Sequence, residues 1–262
     1  MRLQVGVRTD TGRVRDLNED VYLMRPDQGL FLVCDGMGGS PAGEVASEMA
    51  ARMILEQVRA LETDTTFPAS GDTYLPQSRC LLSAVERSNQ YIYERAQAEP
   101  DHAGMGTTVV GAWINGQLVT IVHVGDSRAY LWHRDHLERL TRDHSVHDAR
   151  IRRNVLFRAL GREATVGADI RELAVQPGDY VILCSDGLTN TVPEATLSES
   201  IARLREPQRI CDHLVDAANH NGGPDNITVI VVEILGGVWR SVWSHWIRFL
   251  SGGHFAAAHS AS

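Results

Sequence analysis

The chain has no run of about 18 apolar residues that could span a bilayer, and its N-terminus, MRLQVGVRTDTG, has no apolar segment that would act as a secretion signal. Both absences point to the cytoplasm. Positive charge is in deficit: 25 Lys and Arg stand against 33 Asp and Glu, a net charge of −8. A general nucleic-acid binder would carry a basic footprint, so that class is excluded and sites for cations become more natural. Cysteine is scarce, and Cys34, Cys80, Cys184 and Cys211 have neither CxxC nor zinc-finger spacing. Two of them sit inside apolar runs, so all four read as reduced thiols behaving as small hydrophobes. No internal repeat of about 20–50 residues is present.

What is there is ample for a core, since 43% of 262 residues are apolar. Strand-like runs are LQVGVRT (3–9), DVYLM (20–24), LFLVC (30–34), TTVVGAWI (107–114), QLVTIVHV (117–124), SRAYLWH (127–133), DYVILC (179–184) and NITVIVVEI (226–234). The Ile-Asn-Gly-Gln link at 114–117 predicts a type I′ hairpin, because Asn-Gly accepts positive φ. Apolar residues at three-and-four spacing predict helices over 42–61 and 76–99, with a third helical region over 194–219. The stretch 63–76, rich in Thr, Ser, Gly and Pro, reads as a surface loop. Two face-to-face sheets covered by helices satisfy this pattern.

Four apolar, β-branched runs carry a carboxylate at one tip: Asp35 in LFLVCDGMGG, Asp126 in TIVHVGDSRAY, Asp186 in ILCSDGLTNTV and Asp225 in GGPDNITVIVV. Any single one is explained as a turn residue. All four together, with NED at 18–20, are better explained by a shared site, because clustered carboxylates must share protons or hold cations. Hard oxygen ligands suit Mg²⁺ or Mn²⁺.

The ordered series GRVRDLNEDVY, VCDGMGGSPAGEVAS, GMGTTVVGA, HVGDSRAYL, LTRDHS, RALG, CSDGLTN and GGPDNITVIVV, spanning residues 3 to 234, resembles the metal-dependent protein phosphatases of type 2C in their bacterial form. The resemblance implies an α+β fold, a four-layer α-β-β-α sandwich of two mostly antiparallel sheets flanked by helix pairs. It implies hydrolysis of phosphoserine and phosphothreonine on proteins by a hydroxide bridging two of two or three Mn²⁺ or Mg²⁺ ions. By similarity Asp35 bridges the two metals and the Gly36 carbonyl completes one of them. Asp186 and Asp225 serve the first metal, Glu19 and Asp20 the second, and Asp126 a weaker third. Arg15 stands where the family keeps its phosphate-binding arginine, with a solvated surface arginine as the plainer alternative. No Cys lies in a phosphate-cradling CxxxxxR loop, so a cysteine nucleophile is excluded.

Several features depart from the family pattern. Eukaryotic relatives carry a histidine where Met37 follows Gly36. His123 and His144 lie near motif residues but read first as structural. Between LTRDHS and RALG stands only VHDARIRRNVLF (146–157), a shortened flap that would open the rim and weaken the third site, with Asp143 and Asp148 as carboxylates able to compensate. The basic run Arg150, Arg152, Arg153 and Arg158 reads as a solvated helix face or as charge facing a phosphopeptide. Residues 1–235 are thus expected to form the catalytic domain and 236–262 a Trp-rich tail. In that tail Trp239, Val242, Trp243, Trp246, Ile247 and Leu250 fall on one helical face, suited to a membrane surface, to a groove on another protein, or to packing on its own domain. The expected partners are phosphorylated proteins and a cognate Ser/Thr kinase, with no nucleic acid and with the chain a monomer. A phosphoprotein-binding module without turnover and a phosphatase for an anti-sigma antagonist are the competing readings.

Overall fold

The computed structural model describes residues 2–39, 42–63, 74–148 and 153–236. One five-stranded sheet runs in the order β1 (Arg2–Asp10), β13 (Ile227–Leu235), β12 (Tyr180–Cys184), β7 (Arg128–His133) and β8 (His136–Arg139). The other runs β11 (Asp169–Ala174), β6 (Leu118–Val124), β5 (Val109–Asn115), β3 (Leu30–Met37) and β2 (Asp20–Arg25), with the short β4 (Gly106–Thr107) paired to the end of β3. Every pairing is antiparallel.

The central strands are continuous apolar runs because both of their faces are covered. On β3, Phe31 and Val33 join Leu131, Val181, Leu183, Ile230 and Val232 in the core between the sheets. The alternate residues Leu30, Leu32 and Cys34 pack beneath the helices α1 (Ala42–Thr63) and α2 (Pro76–Ala98). On the opposite side Ile182, Cys184, Val229 and Val231 are covered by α4 (Glu194–Leu204) and α5 (Pro207–His220). The four layers follow directly from this two-sided alternation.

Three local expectations change. The predicted helical region 194–219 is two helices, broken at Arg205, whose φ of 60° leaves the helical basin. At 114–117 the register pairs Asn115 with Leu118, which places Gly116, φ 61°, at the first central position and leaves Gln117 at negative φ, the pattern of a type II′ turn. The type I′ pattern instead joins β7 to β8, where Arg134 and Asp135 have φ of 49° and 62°. The flap segment is not a helix face: β9 (Ser145–Asp148) pairs with β10 (Arg153–Leu156) as a two-stranded ribbon. Arg150, Arg152 and the Trp-rich tail from residue 237 lie outside the described residues, as do the side chains of Asp148 and Arg153. Among the described residues no helix is long and apolar enough to cross a membrane.

Candidate metal centre

The rim of the sandwich gathers acidic side chains from both sheets. The register of β2 on β3 sets Asp20 opposite Asp35. Cys184 pairs with Val229, so Ser185 and Asp186 leave β12 beside the residues that lead into β13. The short helix α3 (Asp186–Thr189) starts there and packs so closely that a Cβ on Gly187 would lie 1.9 Å from the Asn226 carbonyl oxygen. A Cβ on Gly36 would lie 2.2 Å from the carbonyl oxygen of Gly43 and 2.8 Å from that of Glu19, so only glycine lets these three segments meet.

Asp20 is buried and ties the two sheets together. Its Oδ2 accepts hydrogen bonds from Ser185 Oγ and Thr228 Oγ1, each at 2.7 Å. Burial, with Asp186 and Asp225 nearby and against those two hydroxyls, pushes its carboxyl up to about 7. Asp35 is driven well above the usual carboxylate range by burial and then by Asp20, Asp186, Asp126 and Asp225. Burial followed by Asp186 and Asp143 raises Asp126 to about 7, and burial followed by Asp225 raises Asp186 to about 6. Each of these four shifts is caused in part by another carboxylate of the cluster, which places Asp20, Asp35, Asp126, Asp186 and Asp225 within electrostatic reach of one another.

Arg15 is the cation beside them. It is half exposed, and one guanidinium nitrogen lies 2.8 Å from Asp225 Oδ2. Burial raises the Glu19 carboxyl, Arg15 opposes it, and Asp225 and Glu44 add to the rise. The buried atoms Glu19 Oε1 and Asp20 Oδ1 take no hydrogen bond among the described residues. Orphaned, inward carboxylate oxygens crowded against further carboxylates are a donor set for hard divalent cations, so the residues present fit Mg²⁺ or Mn²⁺.

Two nearby groups do not join this set. Asp143, expected as a substitute ligand, is instead engaged by cations: Arg128 holds both of its oxygens, at 3.1 and 2.8 Å, and Arg139 bonds it too. Against the effect of burial, Arg128 and Arg139 hold its carboxyl below the ordinary value. The side chains of His123, His144 and Asp169 bring one ligand atom each within 4.8 Å of one another. However, His144 Nδ1 accepts the Gly125 N–H at 3.1 Å, and its Nε2 already faces Asp169 Oδ2 at 3.2 Å and Arg158 Nη1 at 3.3 Å. Arg158 also occupies Asp169, at 3.2 Å. A cation there would have to displace both, so His144, Asp169 and Arg158 form a polar support at the root of the flap, with the His123 ring packed 4.7 Å from that of His144. His123 is held neutral, pushed down to about 4 by burial and then by His144. All four cysteines are buried and none is in a disulfide, and burial pushes the Cys184 thiol up to about 12, far from a thiolate nucleophile.

Sequence reasoning missed Ser185, Thr228 and Asn226. The available signal was a polar residue at the mouth of an apolar run, as in CSDG and DNIT.

The model of the family described as Protein phosphatase 2C matches residues 13–218. The chain belongs to the protein phosphatase 2C family. A serine/threonine phosphatase stp of Listeria innocua is 40% identical over 244 residues, covering 86% of this chain and 94% of that protein. Among solved structures, the catalytic domain of the serine/threonine protein phosphatase PstP in complex with two manganese ions superposes with a TM-score of 0.73 at 32% identity, covering 89% of this chain and 99% of that one. PppA of Pseudomonas aeruginosa, described as a regulatory component of a T6SS, gives 0.75 at 31% identity, covering 89% and 98%. The phosphatase 2C sandwich accounts for the layers described above.

Proposed function

We propose that this phosphatase 2C chain hydrolyses phosphoserine and phosphothreonine on proteins, opposing a Ser/Thr kinase, with two or three Mn²⁺ or Mg²⁺ ions held at the carboxylate rim. Asp35 and the Gly36 carbonyl would help to hold the two principal ions. Asp186 and Asp225 serve the first, Glu19 and Asp20 the second, and Asp126 a third. The observation that carries this reading is the cluster of Asp20, Asp35, Asp126 and Asp186, all raised in pKa and each perturbed by another of the group, together with the orphaned oxygens of Glu19 and Asp20. Bound divalent ions supply charge neutralisation and an activated water at neutral pH.

The chain's own side chains do the rest. The planar fork of Arg15 binds phosphoryl oxygens bidentately and sits against Asp225, so substrate phosphate is drawn to the edge of the cluster. Ser185 and Thr228 fix the rotamer of Asp20 by donating to one oxygen and leaving the other free to ligate. The catalytic domain is read as closing with β13 at Leu235, the strand that completes its sheet.

The test is hydrolysis of p-nitrophenyl phosphate and of a phosphothreonine peptide with Mn²⁺, with Mg²⁺ and after EDTA. Turnover that EDTA abolishes and either cation restores is expected. Turnover indifferent to EDTA would overturn the assignment, and retention of phosphopeptide without turnover would favour a binding module.

A further inference from the structure

Asn226 is buried, 7% exposed, and has no part in the ligand set above. Its amide is nevertheless fully used. Oδ1 accepts the Glu19 N–H at 2.8 Å, and Nδ2 donates to the carbonyls of Thr11 at 2.9 Å and Leu17 at 2.8 Å. These bonds span the whole segment 11–19, which carries Arg15 and ends on Glu19. The ends of the segment have further ties, with the Gly12 N–H on Asp10 Oδ1 at 3.0 Å, Asn18 Nδ2 on Thr9 Oγ1 at 2.8 Å, and the Glu19 carbonyl accepting from Ser47 Oγ at 2.7 Å and the Gly36 N–H at 3.2 Å, while its middle is tied to the loop before β13. The Arg13 N–H donates to the Gly223 carbonyl at 2.7 Å, and a Cβ on Gly12 would lie 2.2 Å from the Asp225 carbonyl oxygen.

The backbone of Asn226 faces the cluster from the other side. Its N–H donates to Asp225 Oδ1 at 2.9 Å, while Arg15 takes Asp225 Oδ2 at 2.8 Å. Its carbonyl is the one on which Gly187 closes, immediately after Asp186. One residue therefore touches the elements bearing Arg15, Glu19, Asp186 and Asp225.

We propose that Asn226 is the positioning residue that sets Arg15 and Glu19 against Asp225, coupling the phosphate-binding group to the cation ligands. The chemistry required is one acceptor and two donors on a short stem, which asparagine provides. Aspartate keeps the acceptor but turns an oxygen toward two carbonyls, serine offers one donor, and glutamine is a methylene too long. This inference rests on the phosphatase reading of the same site.

The experiment compares Asn226→Ala and Asn226→Asp with Arg15→Ala, Glu19→Gln and the corresponding double variants in the full chain. The readouts are KM and kcat for p-nitrophenyl phosphate, the Kd of inorganic phosphate, and Mn²⁺ binding by calorimetry. In the wild-type background Arg15→Ala is expected to raise KM and the phosphate Kd about 10-fold, and in the Asn226→Ala background by less than about 2-fold, because the guanidinium is already misplaced. The Mn²⁺ affinity that Glu19→Gln removes should fall about 10–100-fold in Asn226→Ala, with no further loss in the double variant. If Asn226→Ala does not fold, Asn226→Asp, which keeps the volume, carries the same cycle. Effects that multiply in the double variants, with Mn²⁺ affinity untouched and only the Tm lowered, would overturn the positioning role. A wild-type chain without metal-dependent turnover would instead overturn the phosphatase reading, while the phosphate and Mn²⁺ cycles would still decide the role of Asn226.

Discussion

A carboxylate that binds a cation is, without that cation, a burden on the fold. Asp35 stands at the centre of this conflict, raised by burial and by four other aspartates. Asp35→Asn is expected to lower Mn²⁺-dependent hydrolysis of p-nitrophenyl phosphate by more than about 100-fold. The same variant should raise the Tm in EDTA by about 2–4 °C, since a repelling charge is removed. A lowered Tm in EDTA would refute the crowding argument. The sign of the pH dependence follows from the same groups. Asp20 and Asp126 are pushed up to about 7 and Asp186 to about 6, above their unfolded values of about 4. Groups raised on folding contribute stability that is full below about pH 4 and is lost as pH climbs through about 6 to 7. In EDTA the Tm should therefore fall across that window, while the increment produced by Mn²⁺ should grow, because cations replace the departing protons. A Tm in EDTA that rises over this window would contradict the assigned shifts. Arg15→Ala should mainly raise KM, and unchanged kinetics would reduce Arg15 to a surface charge.

At the scale of the element, the hairpin between β7 and β8 holds two non-glycine residues in the left-handed region, Arg134 and Asp135. Asp135→Gly should stabilise the fold by about 1 kcal/mol in urea unfolding. The Arg205–Asp135 pair that it removes, 3.5 Å long and largely exposed, offers little resistance to that gain. Destabilisation would mean the pair outweighs the backbone. This turn also shows what the sequence made legible. The long interior strands were readable, as were the two long helices, because burial on both faces or on one stripe imposes apolar runs and three-and-four spacing. The strands β8, HLER, and β11, DIRELA, were not, since they are short, charged and alternate exposed with half-buried residues, so no apolar run marks them as one marks the edge strands β1 and β2. The turn at Asn115-Gly116 was readable as a turn but not in its register, which depends on the strand alternation either side. Of the rim, the aspartates could be picked out from their place at the tips of apolar runs. For the residues that orient them, Ser185, Thr228 and Asn226, only their place at the mouth of an apolar run was visible and not their partners, because their bonds cross from one sheet or loop to another about 160 to 215 positions distant in the chain.

For the whole molecule, the interior between the sheets is what keeps the rim in register. Leu183, fully buried on β12 beside the ligand-bearing turn, packs against the facing sheet. Leu183→Ala should cost about 2–5 kcal/mol in chemical denaturation. A cost under about 1 kcal/mol would mean that the sheets re-close over the gap. The order of strands carries one more consequence. β13 lies between β1 and β12, so the first sheet stays split until the last of its strands arrives, and Asp225 and Asn226 arrive with it. A ribosome adding about 5–20 residues per second releases Arg15 and Glu19 many seconds before their partners. The growing polypeptide thus carries the pieces of a phosphatase without being one, and its activity is switched on only once β13 has been made and has closed the sheet.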